Sequence, residues 1–243
     1  MGGGRYDKLQ SQWIVPPCRR SLPLFTQTYA LRIEDGEKMF GKQRFSRDDV
    51  EILDEEVLYN GFFRMLAYRV RHRLFAGGWS GEMRRELFWR PSAVGVLPYD
   101  PINDLVGIVE QFRIGALARP QGPWLLEVVA GQVEEGETPE QVARRELMEE
   151  AGLEVERLIP IQDVLLSPGG SSERVALFCG IAPLPGRGGV FGLADEHEDI
   201  RFHVVSRTQA LQALRDGHCD NAALTIALQW LALHHEDVRQ QAG

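Results

Sequence analysis

The chain has 243 residues, 44% hydrophobic and 26% charged, with a net charge of −8, enough apolar material for a large domain or a catalytic domain with a smaller accessory piece. The acidic balance argues against bulk nucleic-acid binding, which needs cationic surface to displace phosphate counterions. No apolar run approaches the roughly 20 residues that span a bilayer, so neither nucleic acid nor membrane is an expected partner.

Residues 1–45 read as an extension without clear periodicity. Gly2-Gly3-Gly4, Pro16-Pro17 and Pro23 interrupt it, and its charges and prolines do not fit the apolar core of a secretory signal. Residues 46–90 read as a small β-sheet subdomain. Val57-Leu58-Tyr59 and the run from Phe62 to Val70 have strand composition, Asn60-Gly61 suits a turn, and Leu87-Phe88-Trp89 suits a third strand.

Residues 91–243 alternate strands and helices. Ala93 to Leu97 and Leu105 to Phe112 predict a hairpin around the turn from Asp100 to Asp104, buried on both faces. Trp124 to Ala130 predicts one further strand, Pro139 to Ala151 a helix, and Val175 to Phe178 and Ile200 to Val205 two more strands. Helices are expected near Arg207 to Leu214 and Asn221 to His234. The cysteines Cys18, Cys179 and Cys219 are too scattered for a disulfide framework or zinc site, which suits a reducing cytoplasm.

Local signals delimit the helix over residues 139–151. Thr138 suits the N-cap, Pro139 the first helical position, Gln141 the reciprocal capping partner, and Gly152 the left-handed stop. Glu146, Glu149 and Glu150 then stand at i, i+3 and i+4 and share a face, with Glu127, Glu134, Glu135 and Glu137 nearby in sequence. Clustered carboxylates suit a hard cation. On charge pattern alone, an exposed acidic face paired by Arg145 is the better reading.

The longer spacing decides. Gly131, Glu137, Arg145-Glu146-Leu147, Glu149-Glu150, Gly152 and Leu153 match the Nudix box at every fixed position, and the chain resembles the Nudix hydrolase family. That resemblance implies an α/β/α sandwich and hydrolysis of nucleoside diphosphates linked to another moiety. It also implies Mg²⁺, with Mn²⁺ as the alternative, held by Glu146, Glu150 and the Ala130 carbonyl. Glu149 would assist, and Arg145 would orient a carboxylate.

Ser167-Pro168-Gly169-Gly170, with Pro168 fifteen residues beyond Leu153, is similar to the ADP-ribose pyrophosphatase branch of the family, as are stretches between Asp48 and His235. By this likeness the substrate is ADP-ribose, the products are AMP and ribose 5-phosphate, and the enzyme is a homodimer with exchanged N-terminal sheets. Phe62, beside Phe63, would stack on adenine, although a strand aromatic is ordinarily core. Arg85, Arg90 and Arg113 would hold phosphate or adenine edges, with Glu86 beside Arg85, although surface arginines need no such role. Ser167, Pro168, Gly169 and Glu173 would border the terminal ribose, or simply form a turn, and Gln132 would lie at the substrate. In the acidic stretch from Leu193 to Asp199, Glu196 would be the general base and Glu198 would reach a metal, with Glu149 as the alternative base. The rival readings are a Nudix hydrolase of another nucleotide sugar or dinucleotide, and a non-catalytic ADP-ribose sensor.

Overall fold

The computed structural model describes residues 44–193 and 197–242. The extension expected over residues 1–45 lies outside them but for its last two residues.

The first sheet is antiparallel, in the order β1 (Val50–Asn60), β2 (Arg64–His72), β3 (Met83–Trp89). Asn60 pairs with Arg64, so the chain reverses over residues 61–63. A Cβ on Gly61 would run into the Tyr59 ring, which explains the glycine. Only Leu66 and Ala67 of β2 are fully buried in this sheet, and β1 leaves Ile52, Val57, Leu58 and Tyr59 exposed. One small sheet cannot bury both of its faces alone.

The second sheet runs β10 (Gly189–Phe191), β11 (Ile200–Ser206), β5 (Leu105–Phe112), β4 (Ala93–Asp100), β9 (Arg174–Ile181), β8 (Arg157–Leu165). β4 and β9 are parallel, whereas the other pairs along this path are antiparallel. Side chains alternate along β4: Val94 and Val96 face one layer, and Leu97 and Tyr99 alternate toward the other. Helix α1 (Pro139–Ala151) covers the first face through Val142, Ala143 and Leu147. Helices α2 (Arg207–Arg215) and α3 (Ala222–Ala242) cover the second through Ala210, Leu224, Leu228 and Leu231. The result is a helix–sheet–helix sandwich with a smaller sheet preceding it in sequence.

The strand expected from Trp124 to Ala130 is two strands, β6 (Trp124–Glu127) and β7 (Val129–Gln132). β4 and β5 pair only at Tyr99–Asp100 and Leu105–Val106 and then part. β6 pairs with β5 and β7 with β4, so the segment crosses between them at the buried Val128. β8 was not expected because Pro160 interrupts its pattern. It is an edge strand with an irregularity between Pro160 and Gln162, where a missing N–H is tolerated. The last helix runs eight residues past the expected His234 to Ala242, because Glu236 to Gln241 contains no breaker and Val238 is buried against the core.

Candidate active site on the acidic helix

Helix α1 begins and ends on the expected signals. Thr138 and Gln141 form the reciprocal capping box, and Gly152 is left-handed at φ 62°. A side chain there would also meet the Phe191 ring, whose nearest atom lies 2.9 Å from an added Cβ. Phe191 belongs to β10, which precedes the Glu198 loop, and the Gly192 N–H donates to the Glu149 carbonyl at 3.4 Å. The end of the helix and the start of that loop are therefore fastened together.

The acidic face turns inward. Glu146 is 9% exposed and Glu150 2%. Glu150 accepts the Ala130 N–H at 3.1 Å, which binds the helix to β7. Burial, and then repulsion from Glu146 and Glu198, push the Glu150 carboxyl up to about 8. Glu146 is also raised, chiefly by burial, against the pull of Arg145. This is an environment short of positive charge.

Arg145 organises the rim. Its Nε and Nη2 donate to Glu137 at 3.1 and 3.2 Å, its Nη1 to Glu146 at 2.7 Å and Glu149 at 3.2 Å, and Nη2 also reaches the Gln132 carbonyl at 3.3 Å. The guanidinium holds Glu137 below the usual carboxylate range, helped by the Glu134 N–H. Gln132 thus joins the site through its backbone.

Gly131 lies under the Glu146 carboxylate: an added Cβ would sit 1.5 Å from Oε1. Gly131→Ala is expected to push that carboxylate aside. The displaced atoms end a flexible side chain, so Tm should change little, while activity falls by about 10–100-fold, as when a metal ligand is misoriented. A melting curve paired with turnover checks this; normal turnover would show that the position of Glu146 is immaterial.

Among the described residues no three acidic, histidine or cysteine groups form a ready-made cation cage. The donor chemistry nonetheless fits a hard divalent cation: oxygen donors only, two of them buried carboxylates made costly by burial and mutual repulsion. Glu146, Glu150, Glu198 and the Ala130 carbonyl are the groups that would hold it. Glu198 accepts the Leu193 N–H at 3.3 Å and its charge is felt at Glu146 and Glu150. Glu196 lies outside the described residues.

The other expected residues form two further groups. Phe62 is 86% exposed and meets Phe63 edge-on at 4.7 Å, and Phe63 meets Phe88 at 5.0 Å. Phe62 is therefore not a core aromatic. Arg90 lies over the Phe63 ring and pairs with Glu173 at 2.9 Å. The loop bearing Ser167, Pro168 and Gly169 is tied to β3, since the Phe88 N–H donates to the Gly170 carbonyl at 2.8 Å and the Ser172 N–H to the Phe88 carbonyl at 3.1 Å. Arg85 and Glu86 do not sit side by side as expected. Neighbours on a strand face opposite ways, and Glu86 pairs with Arg84 at 2.7 Å. No hydrogen bond or ion pair among the described residues links Phe62 or Arg85 to the acidic helix.

Arg113 forms the second group. Its Nε and Nη2 donate to the Glu127 Oε2 at 2.9 and 2.8 Å. The sequence grouped Glu127 with carboxylates suited to a cation, but here it neutralises an arginine. Gln111 and Asn221, which also donate to Glu127, were not singled out. Strand alternation put Gln111 on the side of Arg113, but no local signal tied Asn221 to either.

A mixed sheet between helices, with a capped glutamate helix packed on a glycine-bearing strand, defines the class of protein. The NUDIX domain family pattern matches residues 89–234, and the chain belongs to the Nudix hydrolase family. It is similar to the protein named ADP-ribose pyrophosphatase in Escherichia coli (strain K12), 53% identical over 197 residues that cover 81% of this chain and 94% of that protein. The protein of the same name in Haemophilus influenzae is 48% identical over 201 residues, covering 82% and 93%. A GDP-mannose pyrophosphatase of Enterobacter is 27% identical over 191 residues, covering 76% and 95%. In fold alone, the chain resembles a solved ADP compounds hydrolase, with a TM-score of 0.58 at 20% identity, covering 78% of this chain and 98% of that one.

Proposed function

We propose that this chain hydrolyses the pyrophosphate of ADP-ribose to AMP and ribose 5-phosphate, using Mg²⁺ or Mn²⁺ at the acidic face of α1. The observation that carries this is the 53% identity to an ADP-ribose pyrophosphatase across 94% of that protein. A bound divalent cation would neutralise the diphosphate and make water a better nucleophile. Arg145 keeps Glu137, Glu146 and Glu149 in register, so the carboxylates are oriented before substrate arrives. Arg113 offers its remaining N–H groups to a phosphate, and Glu196 takes the proton of the attacking water. Catalysis would rest on positioning and electrostatics, with no covalent intermediate.

The test is a substrate panel with Mg²⁺, assayed for AMP release. ADP-ribose should give the highest kcat/KM, above other ADP-sugars, dinucleotides and GDP-mannose. Faster turnover of any of these would replace ADP-ribose as the substrate, and metal-independent turnover would sink the mechanism.

No described helix is long and apolar enough to cross a membrane. Residues 46–90 are proposed as a dimerisation sheet preceding a catalytic unit of residues 91–243. The exposed apolar side chains of β1 support a homodimer in which Phe62 and Arg85 complete the partner's pocket. A fully active monomer in light scattering would rule out shared pockets. Phe62→Ala should raise KM for ADP-ribose while leaving Tm unchanged, because the ring buries little of its own surface. Base stacking is worth roughly 1–3 kcal/mol, or about 5–150-fold. An unchanged KM would return Phe62 to a plain surface role.

A further inference from the structure

Residues 170–172 and 88–90 run side by side, joined by four hydrogen bonds and a parallel bridge between Phe88 and Ser171. Two of the bonds are backbone to backbone: the Phe88 N–H donates to the Gly170 carbonyl at 2.8 Å, and the Ser172 N–H to the Phe88 carbonyl at 3.1 Å. The other two belong to a single atom. The Ser172 Oγ accepts the Arg90 N–H at 2.8 Å and donates to the Arg90 carbonyl at 3.0 Å. Arg90 stands between β3 and β4, outside both strands, so a serine hydroxyl serves the backbone groups that a strand neighbour would otherwise take.

The guanidinium of Arg90 is placed by its surroundings. Its Nη1 pairs with Glu173 Oε1 at 2.9 Å, its Cζ lies 5.0 Å from the centre of the Phe63 ring, and its Nε is buried without a hydrogen-bond partner among the described residues. An unfilled buried donor costs free energy, so the neighbours hold this arginine where its own donors are not all served. The strand register sets the junction at the end of the sheet that leads to the acidic helix. Ala93 pairs with Gln132 on one side and Val175 on the other, the Val133 N–H donates to the Ser92 carbonyl at 3.0 Å, and the Gln132 carbonyl accepts from Arg145 at 3.3 Å.

The outer face of the loop is bare. Neither Gly169 nor Gly170 has a left-handed φ, and a Cβ on either would meet nothing within 4 Å. Unlike Gly61 and Gly131, these two glycines are not required by the fold. What they still offer is close approach of a ligand to the backbone.

We propose that Ser172 is a positioning residue: its hydroxyl fastens the loop from Ser167 to Glu173 onto Arg90, so that Arg90, Glu173 and the glycine backbone meet substrate as one preformed surface. This deepens the ADP-ribose reading above and rests on it. Without the hydroxyl, the Arg90 N–H and carbonyl lose their partners and the substrate must order the loop as it binds. That cost falls on binding and not on the chemical step.

Ser172→Ala and Ser172→Thr are compared with wild type as full chains. Without substrate, amide hydrogen exchange at Phe88 and Ser172 should be faster in S172A, because both N–H groups belong to the loosened junction. KM should rise by about 5–30-fold, the net worth of one or two hydrogen bonds, with kcat and Mn²⁺ affinity little changed. S172T keeps the hydroxyl and should return both KM and exchange most of the way to wild type. A merely structural serine would lower Tm on replacement without moving KM. The kinetics are read on ADP-ribose or, if another member of the substrate panel turns over faster, on that compound, in which case the ADP-ribose reading fails while the test of Ser172 stands. Unchanged exchange in S172A, faster exchange with unchanged KM, or a raised KM that S172T does not reverse would each overturn the inference.

Discussion

Replacing Glu150 by glutamine is expected to lower ADP-ribose turnover by orders of magnitude at saturating Mg²⁺, and at the same time to stabilise the metal-free protein at pH 8. The first effect follows from losing one anionic oxygen donor while side-chain shape is kept. The second follows from where the carboxylate sits. Burial and the neighbouring Glu146 and Glu198 raise its pKa to about 8 in the folded chain, against roughly 4.3 in an unfolded one. Between those values the folded state binds more protons than the unfolded, so wild-type stability falls as pH rises through that window. Glutamine does not titrate and can still accept the Ala130 N–H. The variant's advantage should be small near pH 4.5 and largest above pH 8, with each kcal/mol worth roughly 2–4 °C in Tm for a chain this size. Melting curves in EDTA across that range, beside turnover at saturating Mg²⁺, check both halves. Near-normal turnover would mean that this face of the helix is not the metal site. An equal Tm for both proteins at pH 8.5 would mean that Glu150 carries no such penalty.

Helix α1 could be read residue by residue because its signals are local. The Thr138–Gln141 box, Pro139 and Gly152 act within a few residues of themselves, and the structure uses each of them. The burial of Glu146 and Glu150 was harder to read, since an acidic run at helical spacing ordinarily faces water. It took the pattern extending to Gly131, and the space that Gly131 leaves for Glu146, to turn that face inward. What stayed hidden depends on distant pairing. Val128 marks a strand break because β4 and β5 part company there, and nothing in the sequence around Trp124 shows that divergence. Glu127 looked like a cation ligand because it stands among acids in sequence, yet its partners lie 14 and 94 residues away. Strand β8 was obscured for a different reason. Its proline and alternating exposure belong to an edge, and edges carry the weakest pattern.

Glu196→Gln is expected to lower kcat for ADP-ribose by about 10²–10⁴-fold, the usual worth of a positioned base, with substrate binding nearly intact. On the proposed mechanism Glu146 and Glu150 hold the metal, and Glu149 is held by Arg145 at 3.2 Å, so none of the three is well suited to carry a proton away. The loop between β10 and β11 supplies two other glutamates, Glu196 and Glu198. The charge of Glu198 is felt at both Glu146 and Glu150, which favours it as a further metal contact and leaves Glu196 for the proton. The loop leaves β10 close to the helix, since the Gly192 N–H meets the Glu149 carbonyl. The two glutamates should then fail differently. Glu196→Gln should lose kcat at unchanged Mn²⁺ affinity, and Glu198→Gln should need more metal before it turns over. If Glu198→Gln alone loses kcat, the roles are exchanged. If neither variant does, the proton goes to Glu149, and Glu149→Gln becomes the variant that loses turnover.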